Sequence, residues 1–370
     1  MNVFYDHTIF QQVYGGISRY FRELIVRLSD EEGVGVHLFM GLFANRYGLE
    51  NLKNRCKGYW GRPMLPLPRT GRAIRLLNGV MWRFFQAKFA PAGGKGAVYH
   101  PTYYDFSGLP KAKVVFTVHD FTHERFPRLF PKGDKTPALK RRAFLSRADA
   151  LICVSESTKN DLLNFYGPDI KCPVKAIHHG CNDLSALPAP PLSLPDYPYF
   201  LFVGPRHEYK NFERLLTALA SSADLKNNFG VACFGGTRFS TAEKQCFAEF
   251  GLAGKIAYYE GGDGALSVLY KNALALVFPS FYEGFGFPIL EAMSCGCPVV
   301  ASGASSIPEV TGESALLFEP SSAEDLAEQL RKVAFKDDVR TRLIELGKRR
   351  CTLFSWNRCL KETLEFYRSL

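Results

Sequence analysis

No stretch of the 370 residues approaches the roughly 18 consecutive apolar positions that a membrane-crossing helix requires. The amino terminus, MNVFYDHTIF, lacks the basic head, apolar centre and small-residue cleavage site of a secretory signal, so a cytosolic protein is expected. Among the ten cysteines no Cys-x-x-Cys pair occurs, and Cys295 with Cys297, the one close pair, has no neighbouring histidines to complete a metal site. Cys153 and Cys233 lie inside apolar runs, as small buried thiols do. Structural zinc and a disulfide framework are therefore not expected. The dinucleotide fingerprint Gly-x-Gly-x-x-Gly is also missing, since Gly284-x-Gly286 leads to Ile289 where a third glycine should fall; this argues against a nicotinamide oxidoreductase. There is no internal repeat and no low-complexity tract.

What is present has globular proportions: 46% hydrophobic and 22% charged residues, with 32 glycines and 22 prolines. At roughly 100 to 200 residues per domain, two domains are expected. The net charge of +10 is uneven: residues 1–180 carry +13 and residues 181–370 carry −3. Such asymmetry points to an anionic partner for the first half, or serves solubility alone. Nucleic acid is not expected as that partner, because no nucleic-acid-binding motif accompanies the charge.

Short apolar runs alternate with helical patterns. Strands are expected at 3–5, 34–39, 97–99, 114–118, 150–154, 174–177, 199–203, 230–234, 256–259, 274–278 and 299–301, with helices between them such as 17–28, 157–165, 212–220, 265–272 and 323–333. This is the α/β pattern of parallel sheets covered on both faces. Pro188, Pro190, Pro191, Pro195 and Pro198 crowd into a break, because proline neither donates to a sheet ladder nor tolerates a helix interior. The expected division is a first domain at 1–182, a Pro-rich linker at 183–198, a second domain at 199–354 and a final helix at 355–370. Ligands of open α/β sheets bind at the carboxyl ends of strands, so the cleft between two such sheets is the expected site.

Arg72–Phe89 reads as a basic amphipathic helix. Ile74, Leu77, Met81, Phe84 and Phe85 recur at three- and four-residue spacing, while Arg72, Arg75, Arg83 and Lys88 collect on or beside the other face. Two readings stay open: a surface helix whose apolar stripe faces its own domain, or a helix lying on an anionic membrane surface.

The chemistry concentrates in Glu283 to Cys297, EGFGFPILEAMSCGC. A strand ends at Phe278-Pro279-Ser280, a loop holds Gly284 and Gly286, Pro288 suits a first helical turn, and the helix is expected from Ile289 to about Cys295, stopping at Gly296. Glycines let the backbone approach a ligand, and free amides at a helix start attract phosphate. Glu291, expected in the first turn, would reach sugar hydroxyls; its plainer reading is a solvated carboxylate favouring the helix dipole.

This stretch resembles the Glu, seven residues, Glu signature of the retaining glycosyltransferases of family 4, and PVVASGASSIPEVTGESALLFEP after it is similar to the same family. Gly15-Gly16 before a helix, Val118-His119-Asp120 after a strand, Val154-Ser155-Glu156, Gly180, Gly204 with Arg206 and Lys210, and Phe354-Ser355-Trp356 follow in the family's order. The resemblance implies the GT-B fold: two Rossmann-like domains with parallel sheets facing across a cleft, and a C-terminal helix crossing back to the first domain. It implies that Arg206 and Lys210 compensate the charge of a leaving diphosphate, that Glu291 binds the nucleotide ribose, that Glu283 binds hydroxyls of the donor sugar, and that Gly284, Phe285, Gly286 and Phe287 meet sugar and phosphate. Gly15 and Gly16 resemble the loop that closes on the phosphates, and His119 with Asp120 resembles the pair beside the reacting carbon. Ser155 reads as a helix cap.

Two departures stand out. Many members of the family it resembles carry Asn-Gly where this chain has His179-Gly180, and no Asp-x-Asp is present, which removes the metal-chelating device of the other major glycosyltransferase fold. A metal-independent transfer with retained configuration and no cofactor is expected, by front-face attack. The opening run FYDHTIFQQVYGGISRYFRELIVRL resembles bacterial mannosyltransferases of surface polysaccharide synthesis, which implies GDP-mannose as donor and a saccharide, in particular a lipid-linked one, as acceptor. A UDP-sugar donor, or a non-catalytic protein that binds a sugar nucleotide, are the alternatives.

Overall fold

Apolar residues that must be covered on both faces set the strands. The computed structural model describes residues 1–370 except 13–14, 45–46, 65–70, 90–95, 105–107, 110, 130–135 and 207, together with the side chains of 136–140. Val13 and Tyr14 of the opening run thus lie outside the described residues.

The chain divides into two units, Met1–Gly180 with Trp356–Leu370, and Cys181–Ser355. In the first, strands β1 (Asn2–Tyr5), β2 (Gly35–Phe43), β3 (Gly58–Pro63), β4 (Val98–Tyr99), β5 (Lys113–Val118), β6 (Ala150–Cys153) and β7 (Val174–Ala176) form one sheet in the order β3-β2-β1-β4-β5-β6-β7. In the second, β8 (Tyr199–Val203), β9 (Gly230–Phe234), β10 (Ile256–Tyr259), β11 (Ala275–Phe278), β12 (Val299–Ser302) and β13 (Leu316–Phe318) lie in the order β10-β9-β8-β11-β12-β13. All pairs are parallel. Both units are Rossmann-like, with the strand order reversing at β1/β4 and at β8/β11.

Each expected strand is found, and two more appear. β3 is an edge strand, half-exposed, and contains Gly58, Gly61 and Pro63, so it shows no apolar run; proline is tolerated there because an edge strand has unpaired positions. β13 is an edge strand of the second unit's sheet and has three residues. β2 continues to Phe43, beyond its expected end at 39, through an irregularity in its pairing with β3 between Phe39 and Gly41.

The helix Gly71–Phe89 corrects the stripe read from the sequence. Its packed side is Asn78, Trp82 and Phe85, whereas Leu77 and Phe84, expected to share one face with Phe85, are exposed. Buried Asn78 sets this orientation: its amide accepts from Leu42 N at 2.8 Å and donates to Leu42 O at 3.2 Å, clasping β2.

Residues 183–198 form no helix or strand and are tied to the second unit. Ser267 Oγ donates to Leu184 O (2.7 Å) and Tyr259 OH donates to Ser193 O (3.1 Å). The second core gathers Phe200, Leu215, Leu216, Val231, Val277, Leu326 and Leu330 between sheet and helices, each such side chain contributing about 1.5–3 kcal/mol on burial.

The helix Trp356–Arg368 belongs to the first unit, where Trp356 and Tyr367 are buried. The Tyr367 hydroxyl lies 2.5 Å from His100 Nδ1 and 3.3 Å from Tyr5 OH. Gly180 makes the close approach: a Cβ there would sit 2.3 Å from Trp356 N. Gly180→Ala is therefore expected to destabilise the first unit by about 1–3 kcal/mol, the cost of overpacking, and to lower its thermal midpoint by several degrees. An unchanged midpoint in calorimetry would contradict this contact.

Candidate functional site

In the second unit the strands beside the reversal point release two loops. After β8 comes Gly204-Pro205-Arg206, then a turn at Glu208–Lys210 and Asn211 in the left-handed region (φ 56°), which asparagine accepts more readily than most residues. Asn211 Nδ2 donates to Pro279 O (3.1 Å) in the loop after β11, and to Pro320 O (2.8 Å) after β13. Phe281 N donates to Tyr209 O at 2.8 Å. The two loops are therefore fastened to each other.

Across this junction Lys210 Nζ stands 2.5 Å from Glu283 Oε1, both side chains 14% exposed. The ammonium also lies 5.4 Å from the ring centroids of Tyr209 and Phe278. The Glu283 backbone is held in turn: its N–H donates to Ser305 Oγ (2.9 Å), and Ser306 Oγ lies 2.9 Å from Glu283 O and from Phe285 O. Ser305, Ser306 and Asn211 carried no role in the sequence reading; the signal for the two serines was a small polar stretch, Gly303-Ala304-Ser305-Ser306, directly after a strand.

Gly286 (φ 117°, ψ 53°) caps the helix Phe287–Ser294, a backbone conformation that side chains rarely adopt, and Pro288 occupies its first turn. The helix starts two residues before the expected Ile289. Glu291 consequently falls in the second turn and is 5% exposed, not a solvated first-turn carboxylate. The Tyr270 hydroxyl lies 3.4 Å from Glu291 Oε2 and 3.2 Å from Pro288 O. Phe285 is buried, its ring 5.6 Å from that of Phe287.

Arg206 has other partners. Its Nε meets Glu243 Oε1 at 2.6 Å, Nη2 meets Thr237 O at 2.6 Å, and the guanidinium stacks 4.8 Å over Phe239, leaving the side chain 4% exposed. Glu243 is also the third helical residue of a capping box with Ser240. The structure therefore brings Lys210 and Glu283 together and pairs Arg206 with a carboxylate that the sequence reading missed.

In the first unit, His119 and Asp120 follow β5 at its carboxyl end. His119 is buried against Tyr20 (ring centroids 5.5 Å) and His179 (6.2 Å). Burial pushes His119 down to about 4, Asp120 opposing the shift, and His100 down to about 3. His100 Nε2 lies 2.8 Å from Thr117 Oγ1. Both rings are neutral at pH 7. Asp120 Oδ1 accepts from Thr122 N (3.1 Å), and Asp120 O accepts from buried Arg141 (2.6 Å), whose other partner is Glu124 (3.0 Å). Gly15 precedes the helix Gly16–Leu28; its carbonyl accepts from Arg19 N and Ser18 Oγ, both at 3.0 Å, and its N–H donates to Tyr47 OH at 3.3 Å. Ser155 Oγ accepts from Thr158 N (3.0 Å), the cap expected of it.

Comparison with known proteins gives a consistent picture. Residues 14–183 match the family model described as Glycosyltransferase Family 4, and residues 187–350 match the one described as Glycosyl transferases group 1. An O-antigen chain mannosyltransferase B of Escherichia coli is 28% identical over 371 residues, covering 96% of each chain. Among solved structures, sucrose-phosphate synthase from Thermosynechococcus elongatus superposes with a TM-score of 0.74 at 23% identity, covering 100% of this chain and 98% of that one. The Anabaena protein Alr3699/HepE in complex with UDP and glucose does so with a TM-score of 0.71 at 16% identity, each chain covered to 100%. At these identities the structural likeness concerns the fold.

The buried histidines make a pH prediction. Their folded pKa values lie below the unfolded value near 6.5, so between about 6.5 and 4 the unfolded chain binds more protons. Stability is thus full above pH 6.5 and falls as the pH drops through that window, by up to about 1.4 kcal/mol per unit for each histidine. Thermal unfolding from pH 7 to 4.5 should show the midpoint of the first unit falling; a flat profile would contradict neutral burial.

Proposed function

The chain is a glycosyltransferase, a Family 4 domain followed by a group 1 domain, and on that premise we propose that it transfers mannose from GDP-mannose to a saccharide acceptor carried on a lipid diphosphate, in the cytosol, with retention of anomeric configuration and without a metal ion. The observation that carries the site is the Lys210–Glu283 pair at the β8/β11 reversal point, beside the helix that starts at Gly286. Strand reversal is where open α/β sheets receive nucleotides, and helix-start amides favour phosphate. The mannose assignment is supported by the mannosyltransferase named above from Escherichia coli, to which the chain is similar, and by the opening run of the sequence.

In the proposed reaction the bond between the anomeric carbon and the diphosphate oxygen breaks, a new bond to the acceptor oxygen forms on the same face, and the acceptor's proton passes to the departing phosphate. Lys210 and the amides of Gly286 and Phe287 offset the negative charge that develops on the leaving group. Arg206 is the second cation, a fork held ready by Glu243. Glu283 receives hydroxyls of the donor sugar and Glu291 those of the ribose. His119, neutral, donates a hydrogen bond beside the reacting carbon with Asp120, and Gly15-Gly16 serves the phosphates from the first unit. The proposal of metal independence rests on the sequence, which carries no Asp-x-Asp.

Two measurements test this. Glu283→Gln and Lys210→Ala should each reduce kcat at least about tenfold, equivalent to about 1.4 kcal/mol of transition-state stabilisation; wild-type rates in both variants would remove the pair from the site. In thermal unfolding with a panel of nucleotide sugars, a donor at 100 times its Kd should stabilise the protein by about 2.7 kcal/mol. A shift with GDP-mannose that survives EDTA is the expected result. A shift with UDP-sugars alone would replace mannose as donor, and a shift abolished by EDTA would end the metal-independent reading.

A further inference from the structure

The helix Gly71–Phe89 turns a second apolar face away from its own unit. Leu76 is 74% exposed, Leu77 52%, Val80 48% and Phe84 72%, and Ala73 and Ala87 are exposed among them. At 100° per residue these six positions occupy one arc about 100° wide, opposite the packed side formed by Asn78, Trp82 and Phe85. Arg72 and Arg83 border the arc on one edge and Lys88 on the other, all exposed. The pattern cannot be a frayed core helix, because the clasp of Asn78 on Leu42 fixes which side faces the sheet.

Beside the outer face lies an apolar groove of about 300 Å³ between this helix and edge strand β3, lined by Tyr59, Trp60, Met81, Phe84 and Phe89 with Lys88 at its side. The segment that supplies both elements, residues 51–104, holds ten Lys and Arg and no Asp or Glu, while Glu50 just before it acts on Tyr59. An anionic lipid leaflet meets both features, the apolar arc and the basic border, at once. Its headgroups pair with the basic border, each Lys or Arg contributing to attraction, and its acyl region receives the apolar arc.

We propose that the outward face of Gly71–Phe89 is a docking surface for an anionic bilayer, with Leu76, Leu77, Val80 and Phe84 inserted at the headgroup boundary and the groove beside β3 open to an acyl chain. Arginines on the border stay at headgroup level, where long basic side chains reach water and phosphate together. This surface is independent of the donor and of the transfer reaction, so it stands or falls separately from them.

The test is co-sedimentation of the full chain with vesicles of phosphatidylcholine alone and of phosphatidylcholine containing about one third phosphatidylglycerol, at low and high salt. Binding is expected to the anionic vesicles at low salt, weakening at high salt, and to fall at least about tenfold in Leu76→Glu combined with Phe84→Glu. Both positions are so exposed that the variant should keep the wild-type thermal midpoint, which verifies folding. Arg72→Glu with Arg83→Glu should reduce binding to anionic vesicles as well. Absence of wild-type binding, or undiminished binding by the folded double-Glu variant, would overturn the proposal. Sedimentation velocity without lipid supplies the remaining outcome: a wild-type dimer that Leu76→Glu with Phe84→Glu dissociates would assign the face to a second copy and overturn it equally.

Discussion

Asn211 closes the place on which the second unit depends. Where strand order reverses, the loops leaving β8 and β11 part company with the sheet ladder, and their carbonyls at Pro279 and, after β13, Pro320 need donors that no strand supplies. One side-chain amide answers both, and it can do so because asparagine tolerates the left-handed backbone that turns Nδ2 toward them. Around that fastening the Tyr209–Phe281 backbone bond sets the spacing of the loops, and Lys210 is delivered to Glu283. A partly buried ion pair of this kind is favourable only when both partners are held in place. Ser305 and Ser306 provide that holding for the glutamate's backbone, so the geometry of the charged pair rests on uncharged hydrogen bonds around it.

The first unit solves a different problem at the carboxyl ends of its strands. His100, His119 and His179 lie under aromatic neighbours, with Tyr20 touching both of the last two and Tyr367 of the final helix reaching His100. Burial lowers all three pKa values, so the cluster stays uncharged at neutral pH and can pack as a polar core. Gly180 and Trp356 seal the same region, because the return of the last helix needs a position without a side chain. His179, beside that glycine, adds a ring that packs against His119 and Trp356.

What the sequence made legible follows from burial. Strands covered on both faces must be apolar throughout, so β1, β5, β8 and β11 stand out as short runs; β3 does not, because an edge strand can carry Gly58, Gly61 and Pro63 without penalty. Lys210 and Glu283 were visible as types at strand ends, but their pairing spans 73 positions and emerges only when β8 and β11 become neighbours. The pairing of Arg206 with Glu243 was hidden for the same reason, 37 positions apart. The helix at 71–89 misled the eye in another way: apolar residues occupy more than one of its faces, and the deciding contact came from a polar residue, Asn78, whose amide matches the exposed backbone of β2.

Both cations assigned to the diphosphate are paired with carboxylates before any donor arrives, Lys210 with Glu283 and Arg206 with Glu243. Two consequences follow. Each cation is held in one orientation by its carboxylate, which on the proposed assignment would preorganise the charge that a leaving group needs. And a diphosphate bound there, as proposed, would have to displace those carboxylates or share the cations with them. The uncharged donors at the start of the helix Phe287–Ser294 add to this without any such competition, because a backbone amide carries no counter-ion to displace.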